Sequence, residues 1–185
     1  GNPPAGYAKA PDVPIVITAD GKITSTTQGA VENGDKPGVD TIITVDATDP
    51  VLRGHLELTK LVSENGLETD TDKSALKGAT FDLYRVDCDN DGKDELIVKG
   101  LTSDANGKVT TVGNDTAINA TASGGTFDLT FGGKYTKLSD GLPEGKYYFV
   151  ETNATPGAVL PTGEDAKSGV LEITQDDHYA TTNAP

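Results

Sequence analysis

The sequence predicts an all-β protein, a sandwich of two sheets. Its 22 glycines and 10 prolines, with no tryptophan, suit short strands and turns better than packed helices. Short alternating segments recur along the chain with turn residues between them. No segment has the period and length of an ordinary helix, so we expect strands throughout.

The first part of the chain predicts a hairpin, a loop and a strand. Residues 12–24, "DVPIVITADGKIT", place β-branched residues on both sides of the turn "ADG". Residues 25–40 are polar and rich in glycine, which indicates a loop before the strand "TIITVDA" at 41–47. The stretch "TDPVLRG" at 48–54 is typical of a junction. We therefore expect two domains, residues 1–53 and 54–185.

The second part of the chain predicts a longer series of strands. Turns rich in Gly, Asp and Asn separate alternating segments, as in a β-sandwich. The principal segments are "HLELTKLV" at 55–62, "ATFDLYRVD" at 79–87, "ELIVKGLTSD" at 95–104, "GKVTTV" at 107–112, "KYYFVETN" at 146–153, "SGVLEIT" at 168–174 and "HYATTNA" at 178–184.

Charge and cysteine content exclude several classes of function. The 29 acidic and 15 basic side chains give a net charge of −14, which opposes binding to nucleic acid or to an anionic membrane. No apolar run is long enough to span a bilayer. The single cysteine, Cys88, rules out an internal disulfide framework, so covalent reinforcement of a secreted form must come from elsewhere.

Two charged residues fall on the apolar faces of predicted strands. Alternation places Lys60 on the face of Leu56 and Leu58, and it places Glu151 on the face of Tyr147. An unpaired buried charge is costly, so a lysine and a glutamate buried on separate strands are expected to pair with each other. The simplest interpretation is a buried salt bridge.

A second interpretation adds Asn183 in the last strand, which alternation groups with Tyr179 and Thr181. A lysine amine, a carboxamide and a carboxylic acid are the ingredients of an amide crosslink made by the protein itself. Burial in a low-dielectric core disfavours charged forms, so an amine there can act as a nucleophile and an acid as a proton donor. Fixing the amine against the Asn183 carbonyl makes the attack effectively unimolecular, and no cofactor is required.

Five stretches occur in order along residues 54–185: "GHLELTKLV", "ALKGATFDLYRVD", "LTSDANGKVT", "LSDGLPEGKYYFVETNATPG" and the terminal "TTNAP". Together they resemble the CnaB-type, or prealbumin-like, domain of Gram-positive sortase-assembled pilins and surface adhesins. The resemblance implies an Ig-like β-sandwich in which the segment around Glu151 is the E-box. It also implies an intramolecular isopeptide bond, with Lys60 as amine, Asn183 as acceptor and Glu151 as catalytic acid. The sequence departs at "ATPGAV", where the family usually has an aromatic residue after the glycine, which affects packing more than chemistry.

The resemblance implies a structural cell-surface protein, a pilin or adhesin stalk fragment. Such a protein lies outside the cell, in a pilus or anchored to the cell wall, with neighbouring pilin or adhesin domains as partners. The crosslink forms once per molecule, so we do not expect an enzyme. The alternative is an adhesin binding module that grips a host extracellular-matrix protein or glycan through the loops at 113–125 or 87–95.

The first segment resembles the end of a second domain of this type. "NPPAGY" at 2–7 is similar to the stretch after an E-box, and "VPIVITADGKIT" and "TIITVDATDP" are similar to the final strands. Asp46 is then a second crosslink acceptor whose lysine and glutamate lie upstream of this chain. The other interpretation is a solvated aspartate at a strand end. Because an incomplete domain exposes strand edges, we expect residues 1–50 to pair with another chain or with the second domain.

The stretch "DCDNDGKDELIV" at 87–98 matches the first positions of a calcium-binding loop. Asp87, Asp89 and Asp91 alternate, Gly92 follows, and Glu95 comes at the ninth position. The twelfth position is a valine instead of the usual bidentate glutamate. The sequence thus leaves two interpretations, a calcium site or a hairpin turn whose Asp, Asn and Gly serve the backbone alone.

Overall fold

A computed structural model describes residues 12, 14–17, 23–25, 52–61, 63–64, 67–68, 76–121, 128–174 and 179–184. The chain divides into two compact units, Gly1–Val51 and Leu52–Pro185. In the first unit, strand β1 (Ile15–Ile17) pairs antiparallel with β2 (Ile23–Ser25). The hairpin predicted around "ADG" is therefore confirmed. The strand predicted at 41–47, with Asp46, lies outside the described residues, and the interpretation of this unit as the end of a domain stays a prediction.

The second unit is built from strands. Its described strands are β3 (Arg53–Lys60), β4 (Ser63–Glu64), β5 (Leu67–Glu68), β6 (Thr80–Arg85), β7 (Glu95–Thr102), β8 (Lys108–Thr110), β9 (Leu142–Pro143), β10 (Gly145–Asn153), β11 (Leu171–Ile173) and β12 (Tyr179–Ala184).

These strands form two main sheets and one small hairpin. The first sheet has the order β11-β10-β6-β7 and is antiparallel throughout. The second has the order β12-β3-β8, with β9 also pairing β3. Within it β12 runs parallel to β3, whereas β8 and β9 run antiparallel to β3. Strands β4 and β5 pair only with each other among the described residues.

One apolar core joins the two sheets. Along β3 the side chains alternate between partly exposed and buried, and along β6 they do the same. This period of two is what a sheet with one covered face requires. The buried faces of both sheets contribute to a single cluster: Leu56, Leu58, Ala79, Phe81, Leu83, Ile97, Val98, Leu101, Val109, Ile118, Leu129, Leu138, Leu142, Tyr147, Phe149, Leu171 and Ile173. The second unit is thus a β-sandwich, as the alternating pattern predicts.

Helical structure in the described residues is limited to short 3₁₀ turns, which include Leu138–Asp140 and Gly163–Ala166. The all-β fold class is therefore confirmed. In the described part of the chain, no helix has the length and apolar character needed to cross a bilayer.

We expect Leu58→Ala to lower the free energy of unfolding by about 2–5 kcal/mol, because truncation leaves a cavity in a well-packed core. Leu58 is fully buried at the centre of β3. The matched control is Val159→Ala, at a position that is 92% exposed, which should change stability by no more than about 0.5 kcal/mol. Denaturant unfolding of both variants measures the difference, and equal losses would contradict the assignment of Leu58 to the core.

Candidate functional site

Lys60 and Glu151 form a buried ion pair. Lys60 Nζ donates a hydrogen bond to Glu151 Oε2 at 2.8 Å. The Lys60 side chain is 7% exposed and that of Glu151 is 0% exposed. Both residues occupy the inward positions that strand alternation predicts. Their burial and their pairing are therefore confirmed.

The pair connects the two sheets. Lys60 is the last residue of β3 in one sheet, and Glu151 lies in β10, an interior strand of the other. Glu151 is paired with Phe81 on β6, and the register shifts between Glu151 and Asn153. A shift of this kind bends a strand locally and re-aims its side chains. Glu151 thus lies at the end of β10 where its regular pairing with β6 is interrupted.

The backbone of Lys60 is held by the turn that precedes β8. The Lys60 amide donates to the Gly107 carbonyl at 2.7 Å, and the Gly107 amide donates to the Asp104 carbonyl at 3.0 Å. Gly107 has φ of +77°, a backbone conformation that glycine adopts without strain. This turn therefore fixes the end of β3 from which the amine enters the core.

One oxygen of Glu151 has no hydrogen-bond partner. Oε2 receives the lysine, while Oε1 is buried and lacks a hydrogen bond in the structure. An unsatisfied buried carboxylate oxygen carries a desolvation cost of the order of 1–3 kcal/mol or more. A natural protein retains such an atom where it serves a purpose such as catalysis, or where a further group binds it.

Asn183 lies in β12, beside β3, and only its backbone is described. The parallel register pairs Asn183 with Thr59 and Ala184 with Lys60. The structure therefore brings the backbone of Asn183 to the end of β3 that carries Lys60, offset from Lys60 by one position. Ala180 packs against the core and Thr181 is exposed, so the positions of β12 that alternate with Thr181 do not form its core face in this register. The assignment of Asn183 as the crosslink acceptor stays a prediction, as does that of Asp46.

The acidic turn between β6 and β7 brings its carboxylates together. One carboxylate oxygen each of Asp87, Asp89, Asp91 and Glu95 lies within 4.8 Å of the others. The valine at the twelfth position of the calcium pattern, Val98, is 3% exposed and belongs to the core. Its side chain therefore has a packing role. Cys88 lies among the carboxylates, and burial is the main cause that raises the pKa of its thiol to about 12, so the thiol is neutral at physiological pH.

Loop 113–125, proposed above as a binding surface, is described as far as residue 121. Beside its start lies an open groove of about 400 Å³, with the exposed Val112 at its edge. Its lining also includes Thr102, Asp104, Lys108, Val109, Thr110, Gly113, Asn114 and Asp115. Nothing in this lining identifies a ligand, so the binding-module interpretation stays a hypothesis.

Sequence reasoning missed two arginines, the buried Arg85 and the partly buried Arg53. Arg85 is 5% exposed, is paired with Glu95 across β6 and β7, and donates from Nη2 to the Glu144 carbonyl at 2.5 Å. Arg53 places its guanidinium carbon 3.5 Å from the ring centroid of Tyr135 and 4.5 Å from that of Phe131. Alternation along "TFDLYR" could have found Arg85. Arg53 contacts residues far away in sequence, which no local pattern encodes.

No family model and no curated protein matches the chain. Solved structures do show similarity at low identity. They include the Bacillus anthracis TIE protein, at 18% identity over 87% of this chain with a TM-score of 0.40. A group B streptococcus pilus 2b backbone protein matches at 17% identity over 88% of this chain with a TM-score of 0.39. BcpA, the major pilin subunit of Bacillus cereus, matches at 18% identity over 97% with a TM-score of 0.34.

This chain corresponds to part of each of those proteins. The matched regions cover 23%, 47% and 56% of the three chains, respectively. Similarity at this level does not establish a shared function.

We expect Gly107→Ala to destabilise the protein by about 1–3 kcal/mol more than Gly113→Ala. Both glycines have positive φ, so both variants share the backbone strain of a non-glycine residue there. At Gly107 the added Cβ would lie 2.6 Å from the Lys60 carbonyl oxygen and 3.2 Å from Leu76 Cβ, whereas at Gly113 it meets nothing within 4 Å. Denaturant unfolding of the two variants measures the difference. Equal losses would show that the turn does not constrain Lys60.

Proposed function

We propose that this chain is a structural segment of a Gram-positive surface protein, a pilin or adhesin stalk, that crosslinks itself once through a Lys60–Asn183 isopeptide bond. The observation that carries the proposal is the buried Lys60–Glu151 pair, 2.8 Å apart, which joins β3 to the opposite sheet. The motifs of residues 54–185 supply the class of protein. The β-sandwich is the fold that this class requires.

The chemistry uses the three residues in distinct roles. A proton passes from the Lys60 ammonium to Glu151, which leaves a neutral amine and a carboxylic acid in the core. The amine nitrogen attacks the carboxamide carbon of Asn183, and protonated Glu151 donates to the developing oxyanion. The carbon–nitrogen bond to the original amide nitrogen then breaks, with Glu151 relaying the proton that lets ammonia leave. The products are one secondary amide and one ammonia, and no cofactor takes part.

The unpaired Glu151 Oε1 supports this role. A carboxyl group whose Oε2 is occupied by Lys60 still has a second oxygen available to contact the acceptor amide. In an unreacted ion pair, this buried oxygen without a hydrogen bond would only lower the stability of the fold. In the proposed reaction it is the atom that polarises the carbonyl.

The register sets a condition on the reaction. Ala184 is the partner of Lys60, and Asn183 is the partner of Thr59. For Asn183 to meet the amine, the end of β12 must therefore shift by one position, which exchanges its inward and outward residues. The bond can form only after β12 has docked beside β3. Crosslinking is therefore a late step that follows folding of the sandwich.

The topology gives the bond a mechanical role. Tension that enters at Arg53 runs along β3 to Lys60, and β12 runs parallel to β3 and leaves the unit next to that residue. A bond from Lys60 to Asn183 passes the force directly between these strands, so the residues between them carry none. By analogy with disulfides, closing a loop of more than a hundred residues also stabilises the fold by about 4–5 kcal/mol.

A brace of this kind fits a protein displayed outside the cell, in a pilus or on the cell wall, with like domains as neighbours. The single cysteine is consistent with that setting, since disulfides cannot supply the reinforcement. The reaction happens once per molecule, so the protein is a substrate of its own chemistry and not an enzyme.

We expect the denatured protein to be lighter than its formula by one ammonia. Lys60→Met, Glu151→Gln and Asn183→Ala should each have their full formula mass, because each removes one participant in the reaction. Glu172→Gln is the control, since this exposed glutamate lies on β11 and should leave the mass loss intact. Intact-mass spectrometry, followed by sequencing of the joined peptides, makes the measurement. A wild-type protein at formula mass would leave only an unreacted ion pair.

We also expect the double variant Lys60→Met/Glu151→Leu to be less stable than the wild type by about 4–5 kcal/mol, because it removes the crosslink. An unreacted ion pair predicts the opposite, since replacing both members of a buried pair by apolar residues is often neutral or stabilising. Denaturant unfolding of the two proteins distinguishes these cases. A double variant at least as stable as the wild type would refute the crosslink.

A further inference from the structure

We propose that the turn between β6 and β7 binds a calcium ion through Asp87, Asp89, Asp91 and Glu95. This inference is independent of the crosslink, because it uses none of its residues. It assigns a metal site to a part of the fold that the proposed function leaves unexplained.

The geometry suits one cation. Calcium binds oxygen ligands at about 2.3–2.6 Å, so two ligands on opposite sides of one ion are about 5 Å apart. The four carboxylate oxygens lie within 4.8 Å of one another, so all of them can contact a single ion. Four carboxylates at this spacing repel each other, and Lys93 beside them is largely exposed, with its Nζ 3.7 Å from Asp91 Oδ2. A cation between the carboxylates would therefore relieve the repulsion.

A second observation points to a missing ligand. Glu95 is 2% exposed, and its Oε1 is buried with no hydrogen-bond partner. Oδ1 of Asp87 is likewise buried without one. Turn chemistry alone does not account for these atoms, because turn aspartates satisfy backbone amides or face water. A cation would satisfy both oxygens.

The rest of the turn holds the carboxylates in place. Glu95 Oε2 accepts from the Cys88 amide at 2.9 Å, and Asp89 Oδ1 accepts from the Asp91 amide at 3.1 Å. Gly92, at the sixth position of the calcium pattern, has φ of +82°, which a side chain would strain. These contacts preorganise the loop.

The ligand set favours calcium and predicts a modest affinity. Carboxylate oxygens are hard ligands, and a flexible turn suits calcium better than the strict octahedron of magnesium. A valine stands where a bidentate glutamate usually completes the loop, so the site has fewer protein ligands than a cytosolic sensor. We therefore expect a Kd of about 10⁻⁴–10⁻³ M, the range of extracellular calcium modules.

The test uses the full chain freed of metal with a chelator. Titration with calcium chloride should release heat with one site per chain, and about 10 mM calcium should raise the Tm, while the same concentration of magnesium should raise it less. Terbium offers a second readout. The Tyr148 hydroxyl donates to Asp94 Oδ2 at 2.7 Å beside the turn, so this tyrosine should sensitise bound terbium, and calcium should displace it.

Three variants separate the site from general charge effects. Asp89→Asn and Glu95→Gln keep the shape of the side chain and should each weaken calcium binding at least about tenfold, since each removes a charged ligand. Glu172→Gln removes one charge from an exposed strand position and should bind calcium like the wild type. Without calcium, Asp89→Asn should be at least as stable as the wild type, because it relieves repulsion among the carboxylates.

Three results would overturn the proposal. The first is the absence of both calcium heat and terbium luminescence in the wild type. The second is a calcium-dependent rise in Tm that persists unchanged in both Asp89→Asn and Glu95→Gln. The third is equal weakening by Glu172→Gln, which would indicate screening of net charge instead of a bound ion.

Discussion

The structure depends on placing one lysine and one glutamate in the space between two sheets. Each charge is stabilised in the core by the other, 2.8 Å away, and this contact favours one alignment of β3 and β10. The apolar residues of the cluster would allow several alignments, since hydrophobic contacts are not directional. We expect the ion pair to select one of them. A polar interaction that adds little stability by itself can thus fix how the sheets face each other.

The sequence predicted those features that follow from local periodicity. Alternation alone placed Lys60 with Leu58 and Glu151 with Phe149, and the structure confirms both faces. The antiparallel pairing of β1 with β2 follows from turn chemistry in the same way. Features formed by residues distant in sequence were harder to predict. The sheet order, the shift in register beyond Glu151 and the ring contacts of Arg53 depend on packing, which a linear pattern does not encode.

Two buried glutamates of the sandwich show how neighbouring groups determine what a buried carboxylate can do. Glu151 and Glu95 are both almost fully buried, and each has one oxygen without a hydrogen bond. At Glu151 the neighbouring charge is a lysine of the same chain, which suggests covalent chemistry. At Glu95 the neighbours are three further carboxylates and, on the adjacent strand, Arg85, and the excess of negative charge suggests an ion from solution. The chemical nature of the nearest groups, more than burial itself, separates a reaction centre from a binding site.

Strand β3 is anchored at both ends by different forces. At its start, the guanidinium of Arg53 lies against two aromatic rings and donates to the Gly141 carbonyl. At its end, the amine of Lys60 is held by Glu151. Sliding β3 by one residue would break both anchors and turn its buried face toward solvent. Because β3 is fixed at both ends, a change in the register between β3 and β12 requires β12 to move. Of these two strands, β12 is therefore the one that can adjust its position.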